Sequence, residues 1–136
     1  MHERILQEFA EYGFSLYAVE EKRGDKFIGF IGFHHATLDI GFCPCVEIGW
    51  RLDKHFWGKG YATEGAKACL DYGFRHLDFD EVYSFTAIIN KPSQRVMQKV
   101  GLQLDHYFDH PEIPKDNRLK PHVCYRMTKH DHHPLW

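Results

Sequence analysis

The segment His55-Phe56-Trp57-Gly58-Lys59-Gly60-Tyr61-Ala62 constrains the fold more than any other stretch of this chain. It follows an apolar, strand-like run, Val46-Glu47-Ile48-Gly49-Trp50-Arg51-Leu52, and leads into an amphipathic segment that begins near Gly60. A strand, a glycine turn and a helix N-terminus in that order make an anion site the size of a phosphate. The N–H groups of a first helical turn have no partner within the helix, and the macrodipole favours negative charge there. Glycine at 58 and 60 allows a sharp turn and lets phosphate oxygens approach with no Cβ in the way. The turn points to a phosphorylated ligand.

Periodicity on either side predicts the remaining elements. A helix is expected over 4–12, with Ile5, Leu6, Phe9 and Ala10 on one face and Gly13 closing it. Strands over 14–20 and 27–38 form a hairpin around a charged turn at 21–25, and 37–44 is a loop. After the strand at 46–52, a helix over 60–77 carries Ala62, Ala66, Cys69, Leu70, Phe74 and Leu77 on one stripe. A strand at 81–89 follows, then a short helix at 92–100 with Pro92 in its first turn and Gly101 just past its end. Strands at 102–108 and 122–128 complete the order α-β-β-β-α-β-α-β-β, with a proline-containing loop between them. Such an order makes a mixed sheet with helices, α/β or α+β by class.

At 136 residues the chain has room for one domain, expected at 1–129, followed by a histidine-rich tail at 130–136. A net charge of −2 gives no electrostatic case for nucleic acid or an anionic membrane. No apolar run reaches the ~18 residues of a membrane span, and the N-terminus lacks a signal-peptide pattern. Cys43, Cys45, Cys69 and Cys124 contain no C-x-x-C pair, so free thiols in a reducing cytoplasm are the simpler expectation. Cys43-Pro44-Cys45 is expected to be inert, because no partner that would tune a thiol is recognisable. The histidines at 34–35, 106, 110, 130, 132 and 133 do not show the converging spacing of a zinc site, so no metal is expected. Disorder is the default for the tail cluster. The aromatics Phe27, Phe30, Phe33, Phe56, Trp57, Tyr72 and Phe74 are expected to lie mostly in the core.

Two common phosphate motifs do not fit the turn. A Walker A loop needs four residues between its glycines and a Gly-Lys-Ser/Thr ending, and Gly58-Lys59-Gly60 has neither. A dinucleotide fingerprint needs a third glycine where Thr63 stands. What sets the turn in context is the succession 47–52, then Trp57-Gly58-Lys59-Gly60-Tyr61-Ala62-Thr63-Glu64, then Asn90-Lys91-Pro92-Ser93-Gln94-Arg95-Val96-Met97 and Gly101-Leu102. In that order these segments resemble the GNAT superfamily of acetyl-CoA-dependent N-acetyltransferases, and within it the RimJ/RimL-like branch that acetylates protein N-termini.

The resemblance implies a mixed, mostly antiparallel central sheet, splayed at the strand 46–52 and flanked by helices. It implies that the amides from Gly58 through Lys59, Gly60, Tyr61 and Ala62 hold the CoA pyrophosphate, although His55 departs from the family residue at the first turn position. It implies that the pantetheine arm pairs with the Trp50–Leu52 backbone, and Gly49 suits a bulge or a close approach there. Asn90 matches the family's pantetheine-contacting asparagine. Glu47 is the candidate general base, on the face opposite Val46, Ile48, Trp50 and Leu52, where desolvation among aromatics would raise its pKa usefully. The alternative is an ion pair with Arg51. Met97 stands where many family members carry a proton-donating tyrosine; Ser93 either protonates the leaving thiolate or serves the helix start as a cap, with Tyr125 a distant third. A backbone N–H left unpaired by the splay would stabilise the tetrahedral intermediate.

The expected activity is transfer of an acetyl group from acetyl-CoA to a primary amine by direct attack in a ternary complex, the amine being a protein N-terminus or a small molecule. The alternative is a CoA-binding module without turnover. Relative to the family the chain starts inside the second helix, so the strand at 14–20 is expected at an exposed sheet edge, open to a homodimer partner or another covering segment. Asp105, Asp109, Glu112 and Asp116 either attract a cationic acceptor or are simply solvated.

Overall fold

The computed structural model describes residues 6–7, 10–22 and 26–132. Six strands form one sheet: β1 (Leu16–Glu21), β2 (Lys26–Ala36), β3 (Cys45–Leu52), β4 (Glu81–Ala87), β5 (Gln103–Asp109) and β6 (Pro121–Thr128). A 3₁₀ turn at Lys54–Phe56 and helix α1 (Tyr61–His76) join β3 to β4, and α2 (Lys91–Lys99) joins β4 to β5. Their order across the sheet is β1-β2-β3-β4-β6-β5. Every neighbouring pair is antiparallel except β3 and β4, which run parallel and meet only at Glu47↔Tyr83. This is the mixed, mostly antiparallel sheet expected, opened at the expected strand.

The opening has a local cause. One residue beyond the Glu47↔Tyr83 pairing, the buried Ser84 hydroxyl donates to the Ile48 carbonyl at 2.9 Å, so a side chain takes over where the backbone ladder ends. Past Ile48 the two strands diverge, and Trp50–Leu52 face a gap on the β4 side while they stay paired with β2. Strand β2 pairs with β3 without a shift from Gly29↔Leu52 to Ala36↔Cys45, so Gly49 sits in regular register opposite Gly32 and the expected bulge is absent.

The core lies between the sheet and the two helices. Side chains of β2 and β3 alternate, so Phe33 and Ile48 turn inward with Val46 and Trp50 beside them. The stripe on α1 meets them with Ala66, Leu70 and Phe74, and α2 adds Met97. A T-shaped aromatic group of Phe14, Phe33 and Phe79 closes one end. On the opposite face of the sheet, Phe42 from the β2–β3 loop packs among Tyr83, Phe85, His106 and Phe108, with ring centroids between 5.0 and 5.7 Å.

Element ends fall within one or two residues of expectation. The opening helix is seen at 6–7 and 10–12, with Leu6 and Ala10 exposed; Ile5 and Phe9 lie outside the described residues, as does 23–25 of the hairpin turn. Of the aromatics assigned to the core, Phe27, Trp57 and Tyr72 are instead exposed, because each sits at an element end or on an outer face. The tail also differs: His132 packs on Phe74 and bonds the buried Asp71 carboxylate at 3.1 Å, beside Arg75 at 3.0 Å. A buried carboxylate needs such partners, and this one draws residue 132 onto α1; residues 133–136 lie outside the description. No described helix is long and apolar enough to cross a membrane.

Candidate functional site

The gap between β3 and β4 widens into a cleft of about 560 Å³, within the range of small-molecule and cofactor sites. One wall is the end of β3, with Trp50 and Leu52. The floor is the glycine turn and the first turn of α1, with Gly58, Gly60, Tyr61 and Ala62. The far wall is Asn90 and α2, with Ser93. The end of β3 and the turn that follows it thus meet α2, about thirty residues later, around one opening.

The turn is built as the sequence suggests. Gly58 has φ +77° and Gly60 has φ +81°, both in the left-handed region that glycine enters without cost. Gly60 is the N-cap of α1 and offers no side chain to its amides. A Cβ at either glycine would meet nothing within 4 Å, so the space over the turn is open. The Tyr61 hydroxyl donates to Glu21 Oε2 at 2.6 Å and ties this end of α1 to β1.

Lys59 and His55 belong to the turn but do not line the cleft. The Lys59 ammonium instead lies 5.3 Å from the centre of the Phe56 ring. The His55 N–H donates to Asp53 Oδ1 within the 3₁₀ turn. Asn90 caps α2: its Oδ1 accepts from the Ser93 N–H at 3.3 Å, and its Nδ2 donates to Thr86 Oγ1 at 3.1 Å. Asn90 therefore performs the capping that Ser93 was weighed for, and Ser93 supplies only its backbone N–H to that contact.

Glu47 does not line the cleft either. It lies on the second face of the sheet, between His34 on β2 and Tyr83 on β4 in register. Burial alone pushes its carboxyl up to about 8. No ion pair with Arg51 forms among the described residues; Arg51 lines the cleft. Tyr125, the third proton-donor candidate, is buried against α2, within reach of Gln94 and Gln98.

The cleft also gathers residues for which the sequence pattern implied another role or none. Arg51, Arg95 and Lys99 line it and no carboxylate does, so a chain of net charge −2 presents a cationic opening. Arg95 and Lys99 stand four apart on α2, with Pro92 and Val96 on the same face; that spacing was the available signal. Trp57 lines the mouth and donates its indole N–H to the Leu52 carbonyl at 2.8 Å. Among the described residues no three His, Cys, Asp or Glu side chains converge as metal ligands.

Comparison with known proteins points to one family. Residues 1–103 match the family model for the acetyltransferase (GNAT) domain. The Bacillus subtilis protein YkkB is 40% identical over 71% of this chain and 53% of its own length. The B. subtilis N-acetyltransferase YnaD is 39% identical over 62% of this chain and 49% of its own. The chain thus spans about half the length of these relatives. A crystal structure of a GNAT-family acetyltransferase from Bacillus anthracis superposes with TM-score 0.70 at 30% identity, covering 85% of this chain and 66% of that one. One from Bordetella pertussis shares the fold with TM-score 0.79 at 20% identity, over 92% and 72% of the two chains. The chain belongs to the GNAT acetyltransferase family.

Proposed function

We propose that this acetyltransferase moves an acetyl group from acetyl-CoA to a primary amine, and that the amine is the α-amino group of a protein or peptide, as in the RimJ/RimL-like branch. The observation that carries the first part is the cleft itself: an open glycine turn at a helix N-terminus, ringed by Arg51, Arg95 and Lys99 with no acid. The amides from Gly58 to Ala62 bind the CoA pyrophosphate, and the pantetheine lies along Trp50 and Leu52 opposite Asn90.

The acceptor amine approaches from the second face of the sheet, where Glu47 waits. Glu47 takes the ammonium proton, the neutral nitrogen attacks the thioester carbonyl, and the C–S bond breaks. The departing thiolate takes a proton from Ser93 or from solvent. The pKa of Glu47 favours an α-amine. An α-ammonium at ~7.7–8.0 is matched to a base near 8, whereas a lysine- or polyamine-type ammonium near ~10.4 is more than two units too weak an acid. Structures named as a ribosomal-protein-S5-alanine acetyltransferase from Vibrio fischeri and spermidine N-acetyltransferases from Vibrio cholerae both share the fold, at 15–19% identity. The shared fold thus accommodates either kind of amine, and the base discriminates between them.

Thiol release from acetyl-CoA, followed against a panel of short peptides with free N-termini, polyamines and aminoglycosides, tests this. Peptide-dependent release well above that with spermidine at pH 7 is expected. Faster turnover of spermidine would overturn the acceptor assignment, and absence of acceptor-dependent release would overturn the activity. Charge reversal of both Arg95 and Lys99 to glutamate is expected to weaken CoA binding by about 100–1,000-fold, since each cation near a phosphate is worth about 1 kcal/mol in a wet cleft and an acid in its place costs a similar amount. Calorimetry at low and high salt checks it; a loss that salt does not narrow would contradict an electrostatic role. We also propose that the enzyme works in the cytoplasm and that β1, the terminal strand of the sheet, pairs with a second copy. Light scattering that gives a clean monomer at high concentration would overturn the dimer.

A further inference from the structure

The structure brings the sulfurs of Cys43-Pro44-Cys45, a segment expected to be inert, into contact. The two sulfurs lie 3.6 Å apart, in contact, at the junction where the irregular β2–β3 loop enters β3. Both residues are half-buried. The remaining cysteines are placed differently. Cys124 is fully buried. Cys69 is packed against the core on α1, on the other side of the sheet.

A disulfide needs its sulfurs at about 2.05 Å, so closure asks for roughly 1.5 Å of sulfur movement. Cys45 is anchored by its register with Ala36, but Cys43 lies outside the ladder in the loop, where side-chain and backbone torsions can supply that movement. The pair also stands beside a functional group, since Glu47 is two residues further along the same face of β3 and its charge acts on both Cys45 and Cys124.

We propose that Cys43 and Cys45 form a redox-active dithiol that closes to an intramolecular disulfide on reaction with a low-molecular-weight disulfide. One cysteine thiolate attacks the oxidant's S–S bond, forming a mixed disulfide and releasing one small thiolate. The second cysteine thiolate then attacks the protein-side sulfur, closes the ring and releases the other. Two electrons pass from the pair to the oxidant, and the two cysteine protons end on the two released thiols. Burial and the contact with Cys43 hold the Cys45 thiol above its ordinary range, so closure speeds up as the pH rises.

The site is tested without reference to acetyl transfer. The folded full chain is equilibrated with reduced and oxidised glutathione over a range of ratios, quenched in acid, and read by intact mass and peptide mapping. At oxidising ratios the wild type is expected to lose two thiols, hold a Cys43–Cys45 bond and retain no glutathione. Cys43→Ser, which keeps Cys45 but cannot close the ring, is expected to stop at one glutathione on Cys45. Four intact thiols at the most oxidising ratio would overturn the proposal. So would stable glutathione adducts on the wild type, or a bond that involves Cys69 or Cys124.

Discussion

Replacing Glu47 by glutamine is expected to lower acetyl-transfer turnover about 10²–10⁴-fold at neutral pH, the contribution of a positioned general base, while acetyl-CoA affinity stays within about twofold. The separation follows from where the residue stands. Glu47 faces the second side of the sheet and takes no part in lining the cleft, so its removal leaves the cofactor walls intact. A base must be ionised to accept a proton, and burial pushes this carboxyl up to about 8. Wild-type turnover should therefore rise with pH through a midpoint near that value, and the variant should lose that limb.

The same burial predicts the stability trend. The folded state holds the Glu47 proton more tightly than the unfolded chain does. Its favourable contribution is full below the unfolded carboxyl range near pH 4.5 and is lost as the pH rises through about 8. Glutamine does not titrate, so Glu47→Gln should gain on the wild type across that window, by on the order of a few kcal/mol. A variant more stable at pH 8 yet slower in turnover is the expected pair of results. Equal turnover in the two proteins would remove Glu47 as the base.

Gly29→Ala is expected to be the most damaging small substitution in the sheet, costing about 3 kcal/mol or more and lowering the melting midpoint by about 10 °C. Gly29 pairs with Leu52 at φ +146°, a backbone conformation that side-chain-bearing residues rarely adopt. A Cβ there would run into the Arg51 carbonyl oxygen and stand 2.8 Å from the Leu52 Cα. These neighbours are backbone, so neither can rotate aside. The cost also reaches the site, because Arg51 and Leu52 line the cleft, and the folded fraction should bind CoA more weakly. Gly49→Ala provides the contrast on the same pair of strands. Its Cβ would meet nothing within 4 Å, and its melting midpoint should stay within about 2 °C of wild type. Matching melts for the two variants would contradict the β2–β3 register.

The elements that place the site were legible because hydrophobic period and turn chemistry agreed locally. The alternation in 46–52 sent Ile48 to the core and Glu47 to the other face, as the fold has it. The glycines announced the turn, and Pro92 announced the start of α2, although its cap is Asn90. What escaped reading depends on partners distant in sequence. Trp57 looked like core by its size, but its indole N–H finds the Leu52 carbonyl and the ring stays at the cleft mouth. The basic lining needs α2 to be docked beside β3 before Arg51 and Lys99 can share one opening. His132 is drawn in by Asp71, sixty-one residues earlier, and no tail composition encodes that. The Cys43–Cys45 contact depends on how the loop turns into β3, which spacing alone leaves open.

Calorimetric titration of CoA into the wild-type chain tests the central claim most directly, since every step of the proposed acetyl transfer needs the cofactor seated in the β3–β4 opening. One CoA per chain is predicted, with a dissociation constant on the order of 1–100 µM, and weaker binding once Arg95 and Lys99 carry glutamate. Absence of binding at millimolar CoA, or binding unchanged by the double charge reversal, would contradict the account.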